Sequence, residues 1–220
     1  MSSTVLNYER IRAEIPAGVT LLAVSKTHST EKILELYHAG VRDFGENRVQ
    51  ELLEKSAKLP SDIRWHLIGH LQRNKVKSLL PKVHLIHSLD SERLFLTIDT
   101  EAKQLGISVS VLIQVQISPE ETKFGMPIAQ VLPFLTSVFP KSNGHVQLLG
   151  FMGMASFVSD KQTVRNEFNT LSRLFHQVKA LPQFAHISTL SMGMSQDWPE
   201  AVLEGSTCVR IGSDIFGQRF

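Results

Sequence analysis

The sequence predicts a single α/β domain closed into a (β/α)8 TIM barrel. Eight short apolar runs recur along the 220 residues, each separated from the next by one helical pattern. Alternation of this kind requires a parallel sheet with helical crossovers, and eight such units favour closure into a barrel. The rival, an open dinucleotide-binding sheet, carries GxGxxG after its first strand, where this chain reads Ser25-Lys26-Thr27-His28. No linker, low-complexity segment or repeat beyond the βα unit interrupts the pattern, so one domain over 1–220 is expected.

The elements follow in order. Residues 5–15 make an amphipathic lead. Leu21-Leu22-Ala23-Val24 reads as a strand buried on both faces, and Lys26 stands where it leaves the core. A helix capped by Ser29 or Thr30 runs to Gly40, with Ile33, Leu34, Leu36 and Tyr37 apolar. A second strand over 41–44 ends in Gly45-Glu46-Asn47, and a helix over 49–58 is closed by Pro60. The third strand covers 64–69, and the helix over 74–80 stops at Pro81. The fourth covers 83–87, and Ser91 caps a helix that runs to Gly106. A β-branched fifth strand spans 109–117, a loop 118–125, and a helix about 128–139. After a sixth strand over 146–152, Asp160 opens the longest helix, 164–179, with Phe168, Leu171, Leu174, Phe175 and Val178 at helical spacing. The seventh strand, 186–190, leads into Ser191-Met192-Gly193-Met194-Ser195. A short helix over 198–204, an eighth strand over 208–212 and a tail over 216–220 complete the chain.

Composition excludes several classes. A net charge of +2 with 9 scattered histidines argues against a nucleic-acid partner. Cys208 stands alone, which rules out a disulfide framework and fits a reducing compartment. The N-terminus has no apolar signal core, and no apolar run approaches the ~20 residues of a membrane span. A cytoplasmic monomer with no membrane partner is expected.

Function in this fold collects at the C-terminal ends of the strands. Lys26 lies at such an end, where partial desolvation lowers a lysine's pKa and makes it a nucleophile towards aldehydes. The same position also suits an ordinary lysine snorkelling at a strand end. The small-residue loop at 191–195 and the Gly212-Ser213 turn offer hydroxyls and backbone amides on adjacent strands, a combination suited to phosphate. A lysine and phosphate loops on one face point to pyridoxal 5'-phosphate held as a Schiff base. Arg210 beside the pyridine nitrogen would oppose its protonation and make the ring a weak electron sink. A salt bridge at a strand end is the alternative role for Arg210. An aldolase forming a Schiff base without the cofactor would explain Lys26, but leaves Arg210 and the paired phosphate loops with less to do.

Six blocks occur in a fixed order: Ala23-Val24-Ser25-Lys26-Thr27, Phe44-Gly45-Glu46-Asn47, the stretch from Trp65 to Lys75, Lys123-Phe124-Gly125, the stretch from Leu190 to Ser195, and Val209-Arg210-Ile211-Gly212. In these the chain resembles the pyridoxal phosphate homeostasis protein family, itself similar to the N-terminal barrel of alanine racemase. The resemblance implies that Lys26 carries the cofactor, that Ser195 with Gly212 and Ser213 holds the phosphate, that Arg210 faces the ring nitrogen, and that Asn47 lies against the cofactor. Met194, next to Ser195, belongs to the same set, although Met192 and Met194 are by type packing residues. Arg48 departs from the aromatic residue usual after Glu-Asn. Lys123 is a candidate secondary cofactor site by the same resemblance.

Homeostasis implies binding, buffering or delivery of the cofactor, to apo-enzymes that need it, without robust turnover. The alternative is an amino-acid racemase, which needs a second acid/base opposite Lys26. In the racemases a separate domain of the partner subunit supplies a tyrosine; this sequence ends at Phe220, and its tyrosines, Tyr8 and Tyr37, fall in helices. No metal site is expected, because the histidines near Trp65 lack a cysteine or carboxylate cluster in ligand spacing. Arg73, Lys75 and Lys77 read as a solvated basic face.

Overall fold

A computed structural model of the chain describes residues 2–119 and 124–217. Eight parallel strands close on themselves: β1 (Thr20–Val24), β2 (Asp43–Glu46), β3 (Arg64–Leu67), β4 (Leu85–Leu89), β5 (Val109–Gln116), β6 (Val146–Met152), β7 (Thr189–Ser191) and β8 (Cys208–Ile211). Closure is made where β8 returns to β1, with Leu22 opposite Arg210 and Ala23 opposite Ile211. At the other join, β4 pairs with β5 through Ile86–Val111 and Leu89–Ile113, with a register shift between them. A two-residue strand, Met126–Pro127, adds to the end of β5 outside the barrel.

The helices alternate with the strands: α1 (Ser3–Glu14), α2 (Thr30–His38), α3 (Val49–Ser56), α4 (Val76–Leu79), α5 (Glu92–Leu105), α6 (Ile128–Pro133), α7 (Lys161–Lys179), α8 (Trp198–Leu203) and α9 (Ser213–Phe216). Ser91 accepts the Leu94 N–H to start α5, and Gly106 ends it at φ +66°. Asp160 caps α7 by accepting from Gln162 and Thr163. The main core lies between strands and helices and includes Phe44, Phe95, Phe151 and Phe168, each with no exposed surface. Burial of one such side chain contributes about 1.5–3 kcal/mol.

Several boundaries differ from expectation. β2, β4 and β7 run about two residues further along the chain than hydropathy suggests, because the pleat continues through buried polar residues, among them Glu46, Ser88 and Ser191. The helix expected over 128–139 is three pieces, α6 followed by a π-helical turn (Phe134–Val138) and a 3-10 turn (Phe139–Lys141), with Pro133 closing α6. The helix expected at 74–80 begins as a 3-10 turn at Arg73. A helix not expected, α9 at Ser213–Phe216, stands between the eighth strand and the expected tail over 216–220, of which 218–220 lie outside the described residues.

Candidate functional site

The strand ends surround a cavity of about 340 Å³ at the C-terminal mouth of the barrel. Lys26, Asn47, Met194, Ser195, Arg210, Gly212 and Ser213 all line it. Every residue expected at the cofactor site is therefore on one wall or another of a single space. The size is that of a small-ligand pocket.

Each wall has a different character. Val24, Ile68 and Met154 supply apolar surface at the ends of β1, β3 and β6. The loops after β7 and β8 meet on the opposite side, where Ser213 Oγ donates to Ser195 Oγ at 3.1 Å. Gly193 permits the first of these loops: its φ is +93°, and a Cβ there would lie 2.7 Å from the Ala201 Cβ and 2.9 Å from the Trp198 Cα. Asn47 follows β2 directly, and its Oδ1 is buried without a hydrogen-bond partner among the described residues.

Arg210 is 4% exposed and is fixed at its far side. Its Nη1 donates to the Ser191 carbonyl at 2.8 Å and to Ser191 Oγ at 2.7 Å, and its Nη2 donates to the Gly153 carbonyl at 3.1 Å. Burial lowers its pKa, while Cys208 and Asp197 act to raise it. Behind Ser191 runs a buried chain of side chains. Ser191 Oγ lies 3.0 Å from His87 Nδ1, His87 Nε2 3.0 Å from His66 Nδ1, and His66 Nε2 3.1 Å from Asp43 Oδ1. Asp43 only accepts and Arg210 only donates, so one proton on each imidazole satisfies every link. Burial, with His66 and Arg210 as neighbours, holds the His87 pKa well below its ordinary value, which keeps that ring neutral. Burial would raise Asp43, yet hydrogen bonds from His66 and Arg64 outweigh it and hold the carboxyl below the usual range.

A second buried cluster sits under Lys26. Glu46 is fully buried; its Oε1 accepts from Ser25 Oγ at 2.6 Å and from Lys55 Nζ at 2.8 Å. Burial pushes its pKa up to about 7 against the lowering effect of Lys55 and Ser25.

The family model described as "Alanine racemase, N-terminal domain" matches residues 4–219. A pyridoxal phosphate homeostasis protein of Aquifex aeolicus is 41% identical over 90% of this chain and 86% of its own length. One of Homo sapiens is 38% identical over 90% of this chain and 76% of its own. The chain belongs to the pyridoxal phosphate homeostasis protein family.

Among solved structures, that of PipY from Synechococcus elongatus with PLP bound is 35% identical, with a TM-score of 0.90 over 97% of this chain and all of that one. An alanine racemase of Clostridium difficile shares the fold at 14% identity, with a TM-score of 0.76 over 99% of this chain and 57% of the racemase. This family member thus has the barrel of the racemases.

Some functional candidates escaped sequence reasoning. Asp197 borders the cavity and accepts the Met194 N–H; burial raises its pKa against the effects of that N–H and of Arg210. Its one visible signal was its place just before the Trp198-Pro199 helix start. His66 and His87 were read as strand residues, because partners 21 positions apart have no local signature. Arg48 does not line the Lys26 cavity but a neighbouring recess with Asn47, His70, Gln72 and Lys75. Lys123, the candidate secondary site, lies outside the described residues. Cys208 is a buried residue of β8, and Tyr37 is spent on Asp62 at 2.8 Å, on an outer helix.

Proposed function

We propose that this chain binds pyridoxal 5'-phosphate in the Lys26 cavity and serves homeostasis of that cofactor in the cytoplasm by binding, buffering or delivering it. The observation that carries the reading is the convergence of an amine, a paired-hydroxyl loop and a guanidinium on one cavity of about 340 Å³. The names of the relatives and the PLP-bound state of PipY support it.

The donor set fits the cofactor's parts. The Ser195–Ser213 pair suits the phosphate, since hydroxyls bound to a charged acceptor make strong hydrogen bonds. Lys26 Nζ is the group for covalent attachment. The buried Asn47 Oδ1 awaits a donor from a ligand, and Val24, Ile68 and Met154 offer faces to a flat ring. When bound, the cofactor supplies an aldehyde for condensation with amines and a ring able to accept electrons. Arg210 limits the second property. Three hydrogen bonds to Ser191 and Gly153 stop it from turning away, so its positive charge would oppose protonation of a ring nitrogen held beside it.

Recipients would be apo-enzymes that need the cofactor, with little turnover by this chain itself. The presence of Asp197 at the cavity supports a second reading, an amino-acid racemase with this carboxylate as the second base. Deuterium wash-in at the α-carbon of alanine and other amino acids separates the two. Homeostasis expects exchange no faster than with cofactor in buffer. Saturable exchange that disappears in Lys26→Ala and in Asp197→Asn would establish the racemase reading instead.

A further inference from the structure

Lys26 sits in a tight turn whose backbone is strained. The His28 N–H donates to the Ser25 carbonyl at 3.1 Å, which closes a four-residue turn with Lys26 second and Thr27 third. Thr27 has φ +67°, the one positive φ of a non-glycine residue among the described residues. A third turn position of this sign is normally glycine or asparagine, and a β-branched side chain there is an outlier. Such strain persists only where surrounding contacts impose it.

An open recess lined by Thr27, His28, Glu51 and Lys55 lies against the turn, and the His28 ring stacks on Phe216 at 4.8 Å. The backbone of the turn is held by polar contacts. Lys55 Nζ, 7% exposed as a residue, donates to the Ser25 carbonyl at 2.8 Å, to Glu46 Oε1 at 2.8 Å and to Glu51 Oε1 at 2.7 Å. Glu51 Oε1 in turn accepts the Thr27 N–H at 2.6 Å. The two peptide groups gripped in this way are those flanking the cofactor lysine. Glu51 and Lys55 are one turn apart on α3, so the helix presents both together. Burial would raise the Glu51 pKa, but the hydrogen bonds from Lys55 and the Thr27 N–H prevail and lower it.

We infer that Glu51 and Lys55 are positioning residues that clamp the turn on both sides of Lys26, forcing Thr27 into the left-handed conformation and so aiming the Lys26 amine into the cofactor cavity. This rests on Lys26 being the attachment point. With the clamp opened, Thr27 relaxes, and cofactor attachment must restore the strained turn. The resulting loss of affinity is about fivefold to thirtyfold, the equivalent of the roughly 1–2 kcal/mol that a left-handed residue costs.

The test uses four proteins: wild type, Glu51→Ala, Thr27→Gly and the double variant. Glycine adopts the turn without strain, so Thr27→Gly makes the clamp dispensable. Pyridoxal phosphate is titrated by its absorption change, the adduct is mapped after borohydride reduction, and hydrogen exchange of the backbone amide at position 27 is measured without cofactor. Expected are a fivefold to thirtyfold loss in Glu51→Ala with faster amide exchange, and recovery in the double variant to within about twofold of wild type. Thr27→Gly itself changes the folding free energy, so urea unfolding of all four proteins accompanies the titrations, and a loss of affinity in Glu51→Ala beyond what its folded fraction explains belongs to the turn. Unchanged affinity in Glu51→Ala, or a loss that Thr27→Gly does not repair, overturns the clamp while wild-type adduct on Lys26 still stands. Wild-type adduct on another lysine overturns the underlying site instead, and the clamp's purpose with it.

Discussion

Replacing Glu46 by glutamine should change how stability depends on pH, with a sign and size set by its burial. The unfolded glutamate titrates at its ordinary value of 4.5, whereas burial raises the folded value to about 7. Between these values the native protein keeps a proton that the unfolded chain has released. The contribution of Glu46 is therefore fully present below the unfolded pKa and is lost as pH rises through the folded one. At about 1.4 kcal/mol per unit, the loss across this window is on the order of 3 kcal/mol. His87 acts in the opposite sense: its folded pKa is depressed, so its contribution is present above the unfolded value of 6.5 and is lost as pH falls. The two slopes oppose one another in wild type and flatten its profile. Lys55, Ser25 and Glu51 face Glu46, and exchanging the carboxyl for an amide in its hydrogen bonds to Lys55 and Ser25 adds an offset to the variant. Urea unfolding of wild type and Glu46→Gln at half-unit steps from pH 4.5 to 7.5 measures the difference. The variant should gain on wild type by about 3 kcal/mol across the range and show a steeper acid loss of its own. A difference that stays constant within about 0.5 kcal/mol would refute the reasoning.

Two other substitutions probe the cavity walls. On the proposed reading Ser195→Ala removes a hydroxyl that would bond the charged phosphate, worth about 1.5–3 kcal/mol, so affinity for pyridoxal phosphate should fall roughly tenfold to a hundredfold while pyridoxal without its phosphate is hardly affected. Equal losses in parallel titrations of both ligands would make Ser195 structural. Ser191→Ala takes the hydroxyl between Arg210 and His87 and leaves buried groups unpaired, which should cost about 1–3 kcal/mol in urea unfolding. A variant as stable as wild type would mean that the chain from Arg210 to Asp43 carries no energetic weight.

The barrel was legible because strands buried on both faces read as apolar runs, and helices between them carry a different period. At the strand ends, where the sequence misled, buried polar residues were the cause. Glu46 and Ser191 look like loop residues, but Glu46 is satisfied by Ser25 and Lys55, and Ser191 by Arg210 and His87, partners visible only in space. That Lys26, Ser195, Arg210 and Ser213 would line one space was foreseeable, because strand ends in a barrel converge whatever the loops do. Thr27 was not, since the local signal for a positive φ is glycine or asparagine, and here tertiary contacts override it. Asp197 went unread, since it stands one position before the helix over 198–204 and nothing local marks it as facing a cavity.

The central claim is that pyridoxal phosphate attaches to Lys26, and peptide mapping after borohydride reduction tests it most directly. The protein is loaded with the cofactor, reduced, digested and analysed by mass spectrometry beside Lys26→Ala. A phosphopyridoxyl group on Lys26, with the visible absorption band lost in Lys26→Ala, is the expected result. Reduced adduct found only on other lysines, or a band that survives the substitution, would contradict it.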